Sequence, residues 1–260
     1  MKKVVVTSFD KNYMDYSRVA VKSLGMNYHG DDVLDVVCLV PEDILGHAKE
    51  YADSIKQPNL NIQFKTTEGF KRLSEAGSDY VTRHSSPGAW QRIFIGSTLP
   101  DHDVAIYIDP DTIILRDIKP LLEYRSRSPF CAVVETVNMP KIIFDSHDMA
   151  YFNNGVFIAD LNFWRDERIE DKILGWVADN GETELAEQDA MNMVLGEWLS
   201  PLPFSFNFFE WTIFANKVMA EEFDNPLIVH FAGKEKPWGP VVISKYAGMW
   251  KNLYRRIADA

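Results

Sequence analysis

Short apolar, β-branched runs alternate along the chain with longer stretches of 3.6-residue periodicity, the pattern of a βαβ sheet. Val4-Val5-Val6-Thr7 predicts a first strand. Tyr16, Val19, Ala20, Ser23 and Leu24 recur at helical spacing and run into Gly25, a natural C-cap. Val33 to Val40 predicts a second strand, Pro41 introduces a helix from Glu42, and Ile62-Gln63-Phe64 predicts a weaker third strand. The stretch from Glu75 to Gly88 mixes Gly, Ser, Pro and charge, and reads as a loop. Val104 to Ile108 is apolar on both faces, which predicts a central, buried strand. It runs straight into Asp109-Pro110-Asp111, after which Thr112 to Leu115 resumes the apolar run. Phe130 to Val134 and Val156 to Ile158 predict two more strands, and Asn153-Asn154-Gly155 has the composition of a tight turn before the second.

Helical periodicity returns through Ile169, Ile173, Trp176 and Val177, and again from Gln188 to Leu195. Leu227 to Phe231 predicts a last buried strand, followed by a loop from Ala232 to Pro240. Ile243, Tyr246, Trp250, Leu253, Tyr254 and Ile257 then mark an amphipathic helix flanked by Lys245, Lys251, Arg255 and Arg256. Soluble domains carry such helices packed on themselves, so a membrane-surface role is the weaker reading of this one. With no repeat, low-complexity tract or linker, the expectation is one α/β domain.

Composition narrows the function classes. The 260 residues are 46% hydrophobic and 13% aromatic, enough for a large core. Against 38 acidic residues stand 27 basic ones, and the net charge of −11 argues against coating a phosphate backbone, so no nucleic-acid partner is expected. Two cysteines, Cys38 and Cys131, each inside an apolar run, read as small buried hydrophobes rather than a disulfide framework. Met1-Lys2-Lys3 leads into a strand without a signal-peptide core, and no run of about 18 apolar residues occurs. The expectation is a soluble, cytoplasmic protein without stable membrane insertion.

The main chemical signal is Asp109-Pro110-Asp111. In an extended chain residues i and i+2 point the same way, so two hard oxygen donors converge at the C-terminal end of a central strand. Ligands gather at that edge of open α/β sheets. Asp101-His102-Asp103 is a decoy that precedes the strand and reads as a solvated turn. His230 ends the late strand, where a lone histidine is more often a satisfied polar residue than a ligand; joined to two carboxylates it would suit manganese, provided the strands converge in space. Gly233 and Lys236 in the following loop offer a permissive backbone and a point charge for a diphosphate. No Gly-x-Gly-x-x-Gly and no Gly-x-x-x-x-Gly-Lys occurs, so neither dinucleotide-binding nor P-loop chemistry is supported.

Taken in order, Asp10-Lys11-Asn12-Tyr13, Arg92, Tyr107-Ile108-Asp109-Pro110-Asp111, Tyr151-Phe152-Asn153-Asn154-Gly155-Val156, Glu187-Gln188-Asp189 and the run from His230 to Trp238 resemble the family 8 glycosyltransferases. The resemblance implies a single-domain GT-A fold with a mixed sheet, residues 1–115 binding the nucleotide and 116–260 completing the metal and acceptor sites. It implies retaining transfer of a hexose, glucose or galactose, from a UDP-sugar to a saccharide or other hydroxyl acceptor, with Mn²⁺ as cofactor and Mg²⁺ as a substitute. Position by position it implies that Ser8, Asp10, Asn12 and Tyr13 meet the base, and that Arg92, Ile108, Asp109 and Pro110 hold the donor. Asp109, Asp111 and His230 would ligate the metal, and Gly233 and Lys236 the diphosphate. Glu135, Asn153, Asn154 and Glu187 would face sugar hydroxyls, His84 donor or acceptor sugar, and Gln188 the anomeric carbon with Asp189 beside it. Glu135 and Glu187 stand where Asp is usual, which leaves the donor sugar open. A non-catalytic nucleotide-sugar-binding protein, a sugar nucleotidyltransferase and an inverting transferase are the rival readings. The second calls for a Gly-rich, Arg-containing loop after the first strand, and Thr7-Ser8-Phe9-Asp10 is not one.

Overall fold

The computed structural model describes residues 1–69, 72, 87–124, 126–135, 150–180, 185, 187–209, 225–240 and 246–259. Its centre is a seven-stranded mixed sheet. The strands are β1 (Lys3–Ser8), β2 (Leu34–Leu39), β3 (Leu60–Lys65), β4 (Val104–Ile108), β6 (Phe130–Val134), β7 (Phe152–Asp160) and β8 (Leu199–Pro201). They lie in the order β3-β2-β1-β4-β7-β6-β8. β1, β2, β3 and β4 run parallel to one another, β7 enters antiparallel between β4 and β6, and β8 pairs parallel with β6. A separate two-stranded ribbon pairs β5 (Thr112–Ile114) with β9 (Ile228–His230).

Side chains alternate across the sheet as the period-2 pattern requires. Val5, Val36, Cys38, Ile106, Ile108 and Val156 enter one core, shared with α1 (Met14–Met26), α2 (Ala48–Ile55) and α6 (Ala247–Ala258). Val4, Val6, Val37, Leu39, Tyr107 and Phe157 enter the other, shared with α3 (Leu161–Asp166), α4 (Ile169–Asn180) and α5 (Glu187–Leu195). Helices thus cover both faces, the single-domain α/β architecture expected. The apolar stripe of α6 is spent inside the domain: Trp250 stacks on Tyr254, and both rings lie against Tyr16. No helix among the described residues is long and apolar enough to cross a membrane. Both cysteines are buried and unpaired.

Four local expectations change. The first helix does not stop at Gly25 but runs to Met26, because Asn27 caps it: its backbone N–H reaches the Ser23 and Leu24 carbonyls and its amide the Ser23 carbonyl at 3.0 Å. Asn153-Asn154-Gly155 is not a turn but the start of β7, paired to β6 through Val133↔Asn153. Polar residues stand there because that strand end faces the site, which hides the strand from a hydrophobic pattern. The Asp101-His102-Asp103 turn is only partly solvated: the His102 ring is buried, with its Nε2 3.7 Å from Asp35. The helix expected from Glu42 starts as a 3₁₀ turn, Glu42–His47, before α2. Most of the loop expected from Glu75 to Gly88, together with Ile243 and Lys245, lies outside the described residues, whereas Gly88 belongs to the helical turn Pro87–Trp90.

One side chain of helix α5, Asn192, grips β7 by both ends of a single backbone residue. Asn192 accepts from the Phe152 N–H at 2.7 Å and donates to the Phe152 carbonyl at 2.9 Å, so it satisfies both groups of a buried backbone residue. Replacing it by an apolar residue strands both. Asn192→Leu is expected to cost about 3 kcal/mol, read as a lower midpoint in urea unfolding with unchanged m-value.

Candidate active site

Topology creates the site. β4 delivers Asp109 at its C-terminal end, and antiparallel β7 brings Asn153, Asn154 and Gly155 to the same edge, with the Asp109 N–H bonded to the Gly155 carbonyl at 2.7 Å. The ribbon does the rest. Pairing of Thr112 with His230, and the 3.0 Å bond from the Phe231 N–H to the Asp111 carbonyl, carry His230 back to the Asp-Pro-Asp turn. His230 Nε2 lies 3.5 Å from Asp109 Oδ2 and 3.4 Å from Asp111 Oδ1. One donor atom from each of the three residues falls within 4.8 Å of the others, and all three residues are buried. Two carboxylates and an imidazole fit a hard or borderline divalent cation such as Mn²⁺ or Mg²⁺.

The imidazole sits against a glycine. A Cβ on Gly155 would lie 2.2 Å from His230 Cε1 and 2.9 Å from Asp109 Oδ2, so no larger residue fits between the ligands. Arg92, buried at 4% exposure, braces the other side. Its Nη2 pairs with Asp109 Oδ1 at 2.8 Å and its Nη1 donates to Asn154 Oδ1 at 3.0 Å, while the guanidinium covers the Tyr107 ring at 4.7 Å. Tyr107 itself donates to Asp109 Oδ1 at 3.0 Å, and its hydroxyl lies 2.6 Å from Ser8 Oγ. Lys236 bonds Asp111 and the Phe231 carbonyl. Burial works to raise the Asp111 carboxyl, but the Lys236 ammonium beside it wins and holds it well below the ordinary carboxylate range.

Beside the turn opens a cavity of about 130 Å³ lined by Ser8, Tyr13, Gly88, Arg92, Asp109, Pro110 and Asp111 among others. Gly88 shapes it, since a Cβ there would strike the Phe9 backbone at 2.8 Å. Tyr13 meets Trp238 edge-on at 5.5 Å, and Trp238 stacks flat on Tyr16, so the Pro-Trp loop closes that wall. Asp10 is buried and accepts from the Asn12 N–H at 2.9 Å, which leaves the Asn12 side chain at the surface. Gly233, with φ of +92°, is exposed and occupies a left-handed conformation that other residues resist. Ile108 packs into the core beneath the turn. His84 lies outside the described residues.

A second group surrounds Gln188. Its Oε1 accepts from the Asn154 N–H at 3.2 Å, and its Nε2 donates to Tyr151 Oη at 3.2 Å and Glu135 Oε2 at 3.4 Å. Asp189 turns inward, accepting from the Tyr151 hydroxyl at 2.6 Å and the Leu185 N–H at 2.9 Å. Glu187 lies 3.8 Å from Arg92, where burial raises its carboxyl against the pull of that cation. Burial also lifts Glu135 to about 7, against hydrogen bonds from Asn153 and Gln188 that favour the ionised form.

The glycosyl transferase family 8 profile matches residues 4–240. The chain belongs to that family. General stress protein A of Bacillus subtilis (strain 168) is 29% identical over 172 residues, 60% of this chain and 60% of that protein. The chain therefore spans well under two thirds of that relative's length. The lipopolysaccharide 1,2-glucosyltransferase of Escherichia coli (strain K12) is 26% identical over 257 residues, 90% of this chain and 72% of that one. The crystal structure of the galactosyltransferase LgtC superposes with a TM-score of 0.77 at 22% identity, covering 98% of this chain and 95% of that chain. This likeness shows the GT-A fold. The Asp109–Asp111–His230 cluster is the family 8 chain's candidate metal centre.

Sequence reasoning passed over Asn207 and Asn192, which hold His230 and β7. Asn207 had a signal: a lone amide inside Phe204-Ser205-Phe206-Asn207-Phe208-Phe209 is a polar group that a core must satisfy.

Two outcomes follow from this geometry. Gly155→Ala drives a methyl group into the His230 ring, and calorimetry of Mn²⁺ binding is expected to show at least a tenfold loss with the fold retained. Glu135 binds its proton more tightly folded than unfolded, so between its ordinary value of 4.5 and about 7 the native state carries more protons and stability falls as pH rises. The fall is about 3 kcal/mol in metal-free protein, and Glu135→Gln is expected to flatten it in urea titrations across that window.

Proposed function

We propose that this chain transfers a hexose, glucose or galactose, from a UDP-sugar to a saccharide or other hydroxyl acceptor, with retention at the anomeric carbon. The observation that carries this reading is the convergence of Asp109, Asp111 and His230 beside the cavity that ends at Tyr13. On this reading residues 1–115 bind the nucleotide, with Ser8, Asp10, Asn12 and Tyr13 toward the base, and residues 116–260 complete the metal and acceptor sites. Asp109, Asp111 and His230 hold Mn²⁺, or Mg²⁺ in its place. The ion supplies Lewis-acid stabilisation of the negative charge that develops on a diphosphate leaving group.

The chain's own residues do the remaining work. Lys236 is a half-buried ammonium whose proton Asp111 helps retain, and it moves to the diphosphate as charge builds there, with Gly233 letting the backbone approach. Arg92 keeps Asp109 aimed at the metal position rather than meeting the donor alone. Glu187, Glu135 and Asn153 face the sugar hydroxyls. Gln188 lies on the far face of the sugar as a fixed dipole, its oxygen already held by the Asn154 N–H. An amide so held is a poor nucleophile, which favours same-face entry of the acceptor hydroxyl, its proton passing to a diphosphate oxygen. Asp189 anchors Tyr151 and the start of α5.

The test is a hydrolysis and transfer screen over UDP-glucose, UDP-galactose, UDP-N-acetylglucosamine and GDP-mannose with and without Mn²⁺. Metal-dependent turnover of a UDP-hexose with a retained anomer by NMR is expected, and Asp111→Ala is expected to abolish metal-dependent UDP binding. An inverted product overturns the mechanism. Binding of UDP to Asp111→Ala with unchanged Mn²⁺ dependence overturns the metal centre.

A further inference from the structure

His230 can serve a cation only through a nitrogen lone pair, and the hydrogen bonds behind it decide which nitrogen has one. Gly155 N–H donates to Asn153 Oδ1 at 3.0 Å. A backbone N–H is an unambiguous donor, so the Asn153 atom facing it is the oxygen. Asn207 reaches the same oxygen at 2.8 Å, and only its amide nitrogen can do so. The Asn207 oxygen is thereby turned to His230 Nδ1, 2.9 Å away, and an amide oxygen there requires an N–H on the ring. The neutral ring then carries its lone pair on Nε2, the atom 3.4 to 3.5 Å from Asp111 and Asp109.

Every link is buried: Asn153 is 6% exposed, His230 5% and Asn207 0%. Asn207 is itself clamped, since the Phe208 N–H bonds the Ile228 carbonyl and the His230 N–H the Phe208 carbonyl, so its segment runs alongside β9. Gly155 belongs to both halves of the device, setting the amide orientations through its N–H and seating the ring on its bare Cα.

We infer that Asn207 is a positioning residue that holds His230 as the Nδ1–H tautomer and so aims the Nε2 lone pair into the cleft between Asp109 and Asp111. The inference rests on the reading of those three residues as a metal centre. It assigns to a buried amide, in an otherwise aromatic segment, the orienting part that groups behind a ligating histidine play in metal sites.

The experiment is run first on metal-free full chain. Long-range ¹H–¹⁵N correlation spectra, recorded well above the ordinary imidazole range, report which ring nitrogen of His230 is protonated, with His230→Gln assigning the signal. Wild-type protein is expected to show Nδ1–H. Asn207→Leu removes the acceptor and is expected to move the ring toward Nε2–H, with Mn²⁺ affinity, read by EPR of free Mn²⁺, falling roughly 10–100-fold. Asn207→Asp keeps an oxygen for Nδ1–H but turns a second oxygen on Asn153, so it is expected to lower the melting temperature while keeping the Nδ1–H tautomer and Mn²⁺ affinity within a few-fold. A merely structural role ties affinity to stability and gives the opposite ranking. Nε2–H in wild-type protein, or in Asn207→Asp, overturns the inference, as does an Asn207→Leu protein with unchanged near-UV circular dichroism, tautomer and affinity. Should Asn207→Leu not fold, Asn207→Asp decides alone. Wild-type protein that binds no Mn²⁺ overturns the metal reading, while the metal-free spectrum still decides the tautomer.

Discussion

Three acids, Asp109, Asp111 and Glu187, are buried within one site, and the structure around them depends on the two cations that make this tolerable. A carboxylate taken from water without a partner costs several kcal/mol, so each must be paired or neutralised. Arg92 answers Asp109 at 2.8 Å and Glu187 at 3.8 Å, and Lys236 answers Asp111. Those cations come from the helical turns after β3 and from the loop after β9. Charge pairing therefore ties four distant stretches of chain to one point, and none of them can move far without leaving a charge bare.

The backbone makes the same point in a second way. β4 and β7 are antiparallel neighbours, so the end of one and the start of the other share an edge, and the β5–β9 ribbon folds a strand from late in the chain back over that edge. The ligands can close on one another because Gly155 presents no side chain between them. Two of the three donors sit in the short Asp-Pro-Asp turn held between β4 and β5, and the third on β9, so strands pin the turn on both sides, which suits a site whose donors must stay within tenths of an ångström of their places. The group around Gln188 is built otherwise. There Gln188, Tyr151, Asp189 and Glu135 form a mutual hydrogen-bond set on α5, β7 and the end of β6, with Asn192 as its fastening.

Different chemistry is held apart by these two surroundings. Asp111 stays ionised because the Lys236 ammonium outweighs its burial, while Glu135, with neutral amides for company, is lifted to about 7 by that same burial. Two acids of similar intrinsic strength thus differ widely in proton affinity. One is a standing anion in the candidate metal centre, and the other a carboxyl that titrates near neutrality.

Much was legible from the chain alone. Strand and helix positions followed from periods of 2 and 3.6, since a side chain's face depends on its immediate neighbours in sequence. Asp109-Pro110-Asp111 was legible because i and i+2 share a face in any extended segment, His230 and Lys236 stood out in the late strand and its loop, and the family resemblance added Gln188. Local rules misjudged the start of β7, where function places polar residues on a strand, and the end of α1, where Asn27 caps in place of Gly25. What only the tertiary structure decided was everything set by distance in space. That Arg92 braces Asp109, that Lys236 rests on Asp111, that Glu135 is lifted while Asp111 is depressed, and that Asn207 stands behind His230 all depend on partners 17 to 125 residues apart. Electrostatic and hydrogen-bond energies fall with separation through space and are indifferent to separation along the chain. No periodicity in the sequence could encode them, and only the packing of the helical turns, the sheet edge and the β5–β9 ribbon against one another brought them into being.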